Sequence, residues 1–226
     1  VNSDPVYVGT EDYGYGALPG IGSSYNAFRV SSAYTGRRPM LYVGANDGIL
    51  HGFDANSTAT GGQEVFAYIP NALFPKLSKL TSPAYVHQYY ADGMSAAGDV
   101  YYDSEWRTLL AGSTGAGGRA VCTLDVTNPD AFGPRSVLWE FTNTDDADLG
   151  YTLAQQAVVR MQNGDWAVIV ANGYNSDNGH AVLFVLDANT GTVLKKIDTG
   201  VGDTANKNGL SSPVAVDTNN DHGVDT

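Results

Sequence analysis

The sequence predicts an all-β protein, specifically a partial β-propeller of four-stranded antiparallel blades, with about three blades and the start of a fourth. Residues typical of strands and turns are abundant: the chain has 27 Gly and 14 Tyr, and only 16% of its residues are charged. An apolar run ending in Asp also recurs at Asp54, Asp125 and Asp187. These positions are 71 and 62 residues apart, a pitch that suits a four-stranded blade with insertions.

Each recurrence is a complete local pattern rather than a single matching residue. The segments are "LYVGANDGILHGFDANST" from Leu41, "TLLAGSTGAGGRAVCTLDVTNP" from Thr108 and "AVIVANGYNSDNGHAVLFVLDANTGTV" from Ala167. In all three, two strand-like runs flank a turn of small or polar residues, and the second run ends in Asp followed by another turn. This pattern predicts the two middle strands of each blade.

Shorter strand-like runs on either side complete each predicted blade. They are 27–32 and 64–69 in the first unit, 96–102 and 137–142 in the second, and 155–161 and 192–197 in the third. The run 213–216 resembles the opening strand of the third unit, so it predicts the start of a fourth. The approximate blades are therefore 26–70, 95–143 and 152–198, with the next beginning over 212–226.

Three blades and the beginning of another do not readily close a ring, because propellers typically have four to eight blades. We therefore interpret residues 1–226 as a fragment of one larger propeller domain. A two-sheet sandwich also has short, regularly spaced strands, but it does not explain why the same Asp turn recurs at the same place in each unit.

The charge balance limits the classes of partner. The formal net charge of −12 disfavours binding to nucleic acid or to an anionic membrane surface, and it is compatible with cation binding. The N-terminus has no signal-peptide pattern, so if the protein is exported its signal has been removed from this sequence. Cys122 lies in an apolar run and is expected to be a buried small hydrophobic residue.

Four stretches together resemble a known family. They are "RPMLYVGANDGILHGFDA" from Arg38, "AYIPNALFPKLSKLTSPAYVHQYYADG" from Ala67, "GDVYYDSEWRTLLAGSTGAGGRAVCTLDVTNP" from Gly98 and "GYTLAQQAVVRMQNGDWAVIVANGYNS" from Gly150. The chain resembles the C-terminal β-propeller domain of type IV pilus-associated proteins of the PilY1/PilC kind. The resemblance implies a seven-bladed, modified propeller without enzymatic activity, exported to the bacterial cell surface, the outer membrane or the pilus tip.

The resemblance also implies functions and partners. It implies calcium binding, a role in pilus biogenesis and in the balance of pilus extension and retraction, and therefore in twitching motility and in adhesion to surfaces or host cells. The implied partners are minor pilins and other components of the tip complex, together with a host-cell receptor. In the family, a calcium loop carries ligands in a D-x-N-x-D-x-x-x-D arrangement, which falls here on Asp217, Asn219, Asp221 and Asp225, with the carbonyl of Gly223.

The chemistry of the terminal loop "DTNNDHGVDT" agrees with that implication. Ca²⁺ takes six to eight oxygen ligands, and an EF-hand loop presents them at alternate positions. The five residues named above occupy such positions, but His222 stands where the EF-hand has its sharp-turn glycine, and the twelfth position, where the EF-hand has a bidentate Glu, would fall beyond Thr226. Asp, Asn and Gly are also ordinary turn formers, so a solvated polar turn is the alternative interpretation.

Two other functions remain open from the sequence. Quinoprotein dehydrogenases are propeller enzymes with similar "NDGILHGFDA" turns and also use calcium, but many stack the quinone on a vicinal cysteine pair, whereas Cys122 is the one cysteine here. A secreted propeller that serves only as a protein-binding platform is the third possibility.

Several weaker motifs are expected to be structural. The glycine-rich stretch 112–118 lacks the Lys-Ser/Thr of a phosphate-binding loop and is predicted to be a hairpin connection. The acidic stretches 143–150 and 175–180 are predicted to be loops between strands. Core or loop packing is the preferred interpretation of the aromatic cluster formed by Tyr85, His87, Tyr89 and Tyr90.

Overall fold

The computed structural model describes residues 2–225 and contains three four-stranded antiparallel sheets. Val1 and Thr226, the end residues of the predicted domain, lie outside the described residues. The strands are β1 Val6–Val8, β2 Met40–Gly44, β3 Leu50–Asp54, β4 Glu64–Tyr68, β5 Ser95–Tyr102, β6 Glu105–Ser113, β7 Ala120–Asp125, β8 Val137–Thr142, β9 Ala157–Arg160, β10 Trp166–Ala171, β11 Val182–Asp187 and β12 Val193–Asp198. The α-helices are α1 Gly22–Val30, α2 Ser32–Thr35 and α3 Phe74–Leu77. Short 3-10 turns lie at Tyr15–Ala17, Asn71–Leu73, Ser78–Thr81, Pro129–Ala131 and Pro134–Ser136.

Each sheet is a meander whose strands pair in sequence order, so the predicted blade architecture is confirmed. The first strands of successive sheets, β1, β5 and β9, lie beside one another. Gly98 of β5 allows one of these close approaches, because a Cβ atom there would lie 3.0 Å from the side chain of Val158 in β9. The sheets therefore stack face to face with their first strands at a common edge, as the blades of a propeller do.

The recurring Asp ends the third strand of every blade and organises the turn that follows. Oδ1 of Asp54 accepts the backbone N–H of Asn56 at 2.8 Å, and Oδ1 of Asp125 accepts that of Thr127 at 3.0 Å. Oδ1 of Asp187 likewise accepts the N–H groups of Asn189 and Thr190, at 3.0 and 2.8 Å. In each blade the register of the third and fourth strands also shifts within the two residues before this Asp. The sequence repeat is thus a repeat of bulge and Asx turn.

The core lies between the sheets, and the middle sheet is buried on both faces. Leu109 in β6 packs towards the third sheet with Trp166 and Phe184. Its neighbour Leu110 points to the opposite face and packs with Met40 and other residues of the first sheet. This alternation follows from the two-residue period of a strand, and complete burial of such side chains stabilises the fold by about 1.5–3 kcal/mol each.

The prediction of a strand at 27–32 is wrong. These residues belong to α1, the Ser31 cap and the start of α2, and the first strand of the first sheet is instead β1, well before the expected blade boundary at residue 26. Tyr25 is buried and Phe28 packs beside it, which is the spacing of a helix face rather than of an alternating strand. Ser31 then accepts the N–H of Tyr34 at 3.2 Å and starts α2 as an N-cap.

A buried hydrogen-bond network fastens this helical segment to the second sheet. Asp99 of β5 is fully buried, and its Oδ2 accepts the hydroxyls of Tyr25 at 2.9 Å and Tyr34 at 3.3 Å. Its Oδ1 accepts the hydroxyl of Thr108 at 2.6 Å, and Thr108 in turn accepts Nη1 of Arg37 at 2.6 Å. The helices are therefore attached by polar contacts as well as by the aromatic packing of Tyr25 on Trp106.

The predicted strand at 213–216 is not formed. In the part of the chain that the structure describes, these residues pair with no neighbouring strand, and Val214 is 81% exposed. A strand requires a partner for its backbone N–H and C=O groups, and the structure instead places the following loop beside this run, with the N–H of Asp225 bonded to the carbonyl of Val216 at 3.0 Å.

Candidate functional site

The terminal loop is seated on the third sheet at the turn between β9 and β10. The N–H of Val224 donates to the carbonyl of Arg160 at 2.9 Å, and Val224 forms a parallel bridge with Met161. Together with the bond from Asp225 to Val216, these contacts close residues 216–225 into a single loop against the sheet.

The loop winds around the carboxylate of Asp217. Its Oδ1 accepts the N–H groups of Asn219, Asn220 and Asp221 at 3.2, 2.7 and 3.3 Å, and its Oδ2 accepts that of His222 at 2.8 Å. Asn220 and His222 have φ angles of 61° and 62°. These two left-handed residues produce the tight winding, and Asn tolerates that conformation better than most side chains.

Asp221 connects the loop to the sheet beneath it. Its Oδ1 accepts the N–H of Gly223 at 2.8 Å. Its Oδ2 accepts Nε2 of Gln162 at 2.9 Å and Nδ2 of Asn219 at 3.2 Å. The pKa of Asp221 lies below its ordinary value, mainly because of the hydrogen bond from Gln162 and secondly because of the one from the N–H of Gly223.

The remaining predicted residues lie in the same loop. Oδ2 of Asp225 accepts the N–H and the hydroxyl of Thr218, at 2.8 and 2.6 Å. Gly223 is buried, and a Cβ atom at this position would lie 2.5 Å from Oε1 of Gln162, so a side chain would displace that contact. All five residues predicted for the calcium site are therefore brought together in one loop.

The donor set fits a hard cation, because three carboxylates, one amide oxygen and one backbone carbonyl are the ligand types that Ca²⁺ prefers. The carboxylates of Asp217, Asp221 and Asp225 accept hydrogen bonds from N–H and hydroxyl groups of the loop and its neighbours. Over residues 2–225, no three His, Cys, Asp or Glu side chains are arranged so that they could hold a metal ion. A cation in this loop would therefore take oxygen atoms that are now hydrogen-bonded.

Two contacts of the loop were not anticipated from the sequence. One is the hydrogen bond from Gln162, and the other is the ring of His222, which lies edge-on to Tyr15 with ring centres 6.3 Å apart. Gly14 makes the second approach possible, since a Cβ atom there would lie 3.1 Å from the His222 ring. No spacing rule indicates either contact, because the partners are separated by 59 residues in one case and by about 200 in the other.

The weaker acidic motifs serve as loops, as predicted. In 143–150, Asp146 and Asp148 flank Nζ of Lys196, each with a carboxylate oxygen 2.7 Å from it. In 175–180, His180 contacts Asp198 at 2.7 Å, and this hydrogen bond raises the pKa of His180. The aspartate of 175–180, Asp177, contacts Nη1 of Arg119 at 2.5 Å, so the carboxylates of Asp146, Asp148 and Asp177 have Lys or Arg side chains as partners.

The other predictions for weaker motifs are mostly confirmed. In the stretch 112–118, Gly112 and Ser113 end β6 and residues 114–118 lie in its connection to β7, and Cys122 is buried. In the aromatic cluster, Tyr90 is completely buried as expected, whereas Tyr85 and Tyr89 are 40% and 44% exposed.

Comparison with known proteins gives consistent results. All residues, 1–226, match the family model described as the PilY1 beta-propeller domain. The type IV pilus biogenesis factor PilY1 homolog of Xylella fastidiosa is 42% identical over 238 residues, which cover 100% of this chain and 16% of the relative. PilY1 of Pseudomonas aeruginosa strain PAO1 is 43% identical over 225 residues, covering 98% of this chain and 18% of that protein.

A solved structure extends the similarity to the fold. The crystal structure of the Pseudomonas aeruginosa PilY1 C-terminal domain matches with a TM-score of 0.79 and 39% identity, over 97% of this chain and 42% of that one. The chain spans less than a fifth of the length of the two curated relatives. Among the described helices, none has the length and apolar character needed to cross a membrane.

Proposed function

Because the chain belongs to the PilY1 β-propeller family, we propose that it is a calcium-binding, non-enzymatic module of a type IV pilus biogenesis factor. The single observation that carries the calcium proposal is the loop 217–225, which gathers five oxygen-bearing positions around one tight turn. In this proposal the protein is exported and acts at the cell surface, the outer membrane or the pilus tip.

The side chains of Asp217, Asn219, Asp221 and Asp225 and the carbonyl of Gly223 would hold the ion. When bound, Ca²⁺ supplies positive charge that offsets the mutual repulsion of the three carboxylates. In its absence the loop relies on hydrogen bonds from its own N–H groups to Asp217 and Asp221. Ion binding would therefore change which atoms these carboxylates contact, and a partner could sense that change.

We further propose that the state of this loop regulates pilus extension and retraction, and through them twitching motility and adhesion to surfaces or host cells. The partners would be minor pilins and other components of the tip complex, and a host-cell receptor. Support comes from the relatives of the chain, which are named type IV pilus biogenesis factors. No observation favours the quinoprotein alternative, since the chain's one cysteine, Cys122, cannot form a vicinal pair.

Calcium titration by calorimetry tests the proposal. The wild-type protein, Asp221→Ala and Asp165→Ala would be compared. Asp165 is the matched control because it is an exposed aspartate in the adjacent β9–β10 turn and has no hydrogen bond to the loop. We expect the wild type and Asp165→Ala to bind Ca²⁺ and Asp221→Ala to lose binding with an unchanged circular dichroism spectrum. Equal binding by all three proteins, or no binding by the wild type, would contradict the assignment.

The wider role is tested in a piliated bacterium whose own homologue carries the substitution equivalent to Asp221→Ala. We expect normal protein abundance but altered twitching-zone diameter and surface pilus number. Unchanged twitching in a strain whose protein has lost calcium binding would show that calcium binding does not regulate the pilus.

A further inference from the structure

The contact between Gln162 and Asp221 differs from the other contacts of the loop carboxylates. Among the residues that the structure describes, those donating hydrogen bonds to Asp217 and Asp225 all lie within 218–222, which is part of the loop itself. Asp221 also accepts one from Gln162, which lies in the turn between β9 and β10, 59 residues earlier in the chain. One predicted cation ligand is thus held by a side chain from the β9–β10 turn of the third sheet.

The placement of Gln162 is itself fixed by the sheet. Its neighbour Met161 forms the parallel bridge to Val224, and the N–H of Met161 donates to the carbonyl of Asp165 at 2.7 Å to close the turn. Oε1 of Gln162 lies against Gly223, where no side chain intervenes. The amide of Gln162 therefore stands between the sheet and the half of the loop that contains Asp221 and the Gly223 carbonyl.

We propose that Gln162 is a positioning residue for the cation loop: it holds the Asp221 carboxylate in place before the ion arrives and couples the loop to the third sheet. This inference rests on the proposed calcium site. A carboxylate has about four acceptor positions, and Asp221 uses three of them, for Gly223, Gln162 and Asn219, so one remains for an ion. Holding a ligand in advance lowers the ordering cost of binding, as partners of metal ligands commonly do.

The test compares Gln162→Met with Asn163→Leu. Each replaces an amide by an apolar side chain of similar size, and both lie in the same turn. Asn163 bonds within the turn, to Asp165, and not to the loop. Affinity for Ca²⁺ is measured by calorimetry on the full chain, with the wild type and Asp221→Ala alongside. We expect Gln162→Met to weaken binding by roughly threefold to tenfold, the range for loss of one hydrogen bond to a carboxylate near the surface, and Asn163→Leu to match the wild type.

Two further measurements distinguish positioning from other roles. The luminescence lifetime of bound Tb³⁺ in H₂O and D₂O counts the water molecules on the ion, and this count should be equal in the wild type and in Gln162→Met. Hydrogen exchange in the metal-free protein should accelerate at the N–H of Gly223, which donates to Asp221, and should not change at the N–H of Asn220.

The outcomes separate this inference from the proposed function. If the wild type binds Ca²⁺ and Asp221→Ala does not, but Gln162→Met binds normally, the calcium site stands and the role of Gln162 is refuted. An additional water molecule on Tb³⁺ in Gln162→Met would make Gln162 a direct ligand instead, and equal weakening in Asn163→Leu would reduce it to support of the turn. If the wild type binds no calcium, both proposals fall together.

Discussion

Replacing Asp99 should weaken the attachment of the helical segment to the second sheet. In Asp99→Ala, the hydroxyls of Tyr25 and Thr108 lose their acceptor, whereas the hydroxyl of Tyr34 keeps its bond to the carbonyl of Glu11 at 2.6 Å. Each buried hydroxyl left without an acceptor costs about 1–3 kcal/mol. Removing a carboxylate that was itself unfavourable to bury offsets part of this cost. We therefore expect a net loss of about 2–4 kcal/mol in the free energy of unfolding.

Equilibrium unfolding in urea, followed by circular dichroism and Trp fluorescence, measures this loss. Asp99→Asn keeps one acceptor oxygen and should lose only about 1 kcal/mol. The exposed residue Asp4 gives a control, since Asp4→Ala removes the same charge without removing a buried acceptor, and it should change stability by less than about 0.5 kcal/mol. If Asp99→Ala unfolds at the same urea concentration as Asp4→Ala, the network does not hold the helical segment.

The pH dependence of the same comparison has a definite sign. Burial is the first cause that raises the pKa of Asp99, and its hydrogen bonds oppose the shift. Between the ordinary value of 3.8 and the raised one, the folded protein binds more protons than the unfolded chain. The stability of the wild type relative to Asp99→Asn should therefore fall as pH rises through this window and become constant above it. A relative stability that increases with pH would contradict the buried-carboxylate account.

Three further predictions concern other parts of the fold. The hydrogen bond from the N–H of Asn56 is the main cause that lowers the pKa of Asp54 to about 2. Asp54 therefore contributes stability above pH 3.8 that is lost as the pH falls towards 2. Asp54→Asn should reduce the pH dependence of stability between these two values, as measured by acid unfolding. Gly173 has φ = 69°, and a Cβ atom there would lie 1.8 Å from a backbone oxygen, so Gly173→Ala should lower the free energy of unfolding in urea by at least about 2 kcal/mol. Gly62 also has a positive φ, 81°, but open space around it, so Gly62→Ala should lower the free energy of unfolding by only about 1 kcal/mol. Burial raises the pKa of Cys122 to about 12, so alkylation by iodoacetamide at pH 8 should be at least about a hundredfold slower in the native protein than in urea.

The sequence was informative about the blades because their signal is local. The Asx turns at Asp54, Asp125 and Asp187 involve residues only two or three positions apart, so the motif and the geometry coincide. The prediction for the helical segment is wrong because the six residues 27–32, in which Phe28 and Val30 alternate with polar neighbours, fit a short strand as readily as a helix. Its true state is set by Tyr25 and Phe28 packing towards the core.

The network around Asp99 and the contact of Gln162 with the loop could not be predicted in this way. Asp99 lies 74 residues from Tyr25, and an aspartate within a strand gives no sign of which hydroxyls it will accept. The loop residues Asp217, Asn219 and Asp221 were found together because their spacing is regular. The residue that supports them belongs to a different strand connection, and only the folded chain brings it close.

The position of β1 has a consequence for the order in which the blades fold. The second and third sheets are built from neighbouring strands joined by short connections, so their contacts form between residues close in sequence. β1, in contrast, is separated from β2 by the long segment 9–39. Closing this loop costs conformational entropy before the contacts between β1 and β2 can form. The rate-limiting step of folding should therefore be the docking of Val6–Val8 onto an already formed β2–β4 hairpin pair. Amide exchange during refolding should accordingly protect the second and third sheets before the first strand.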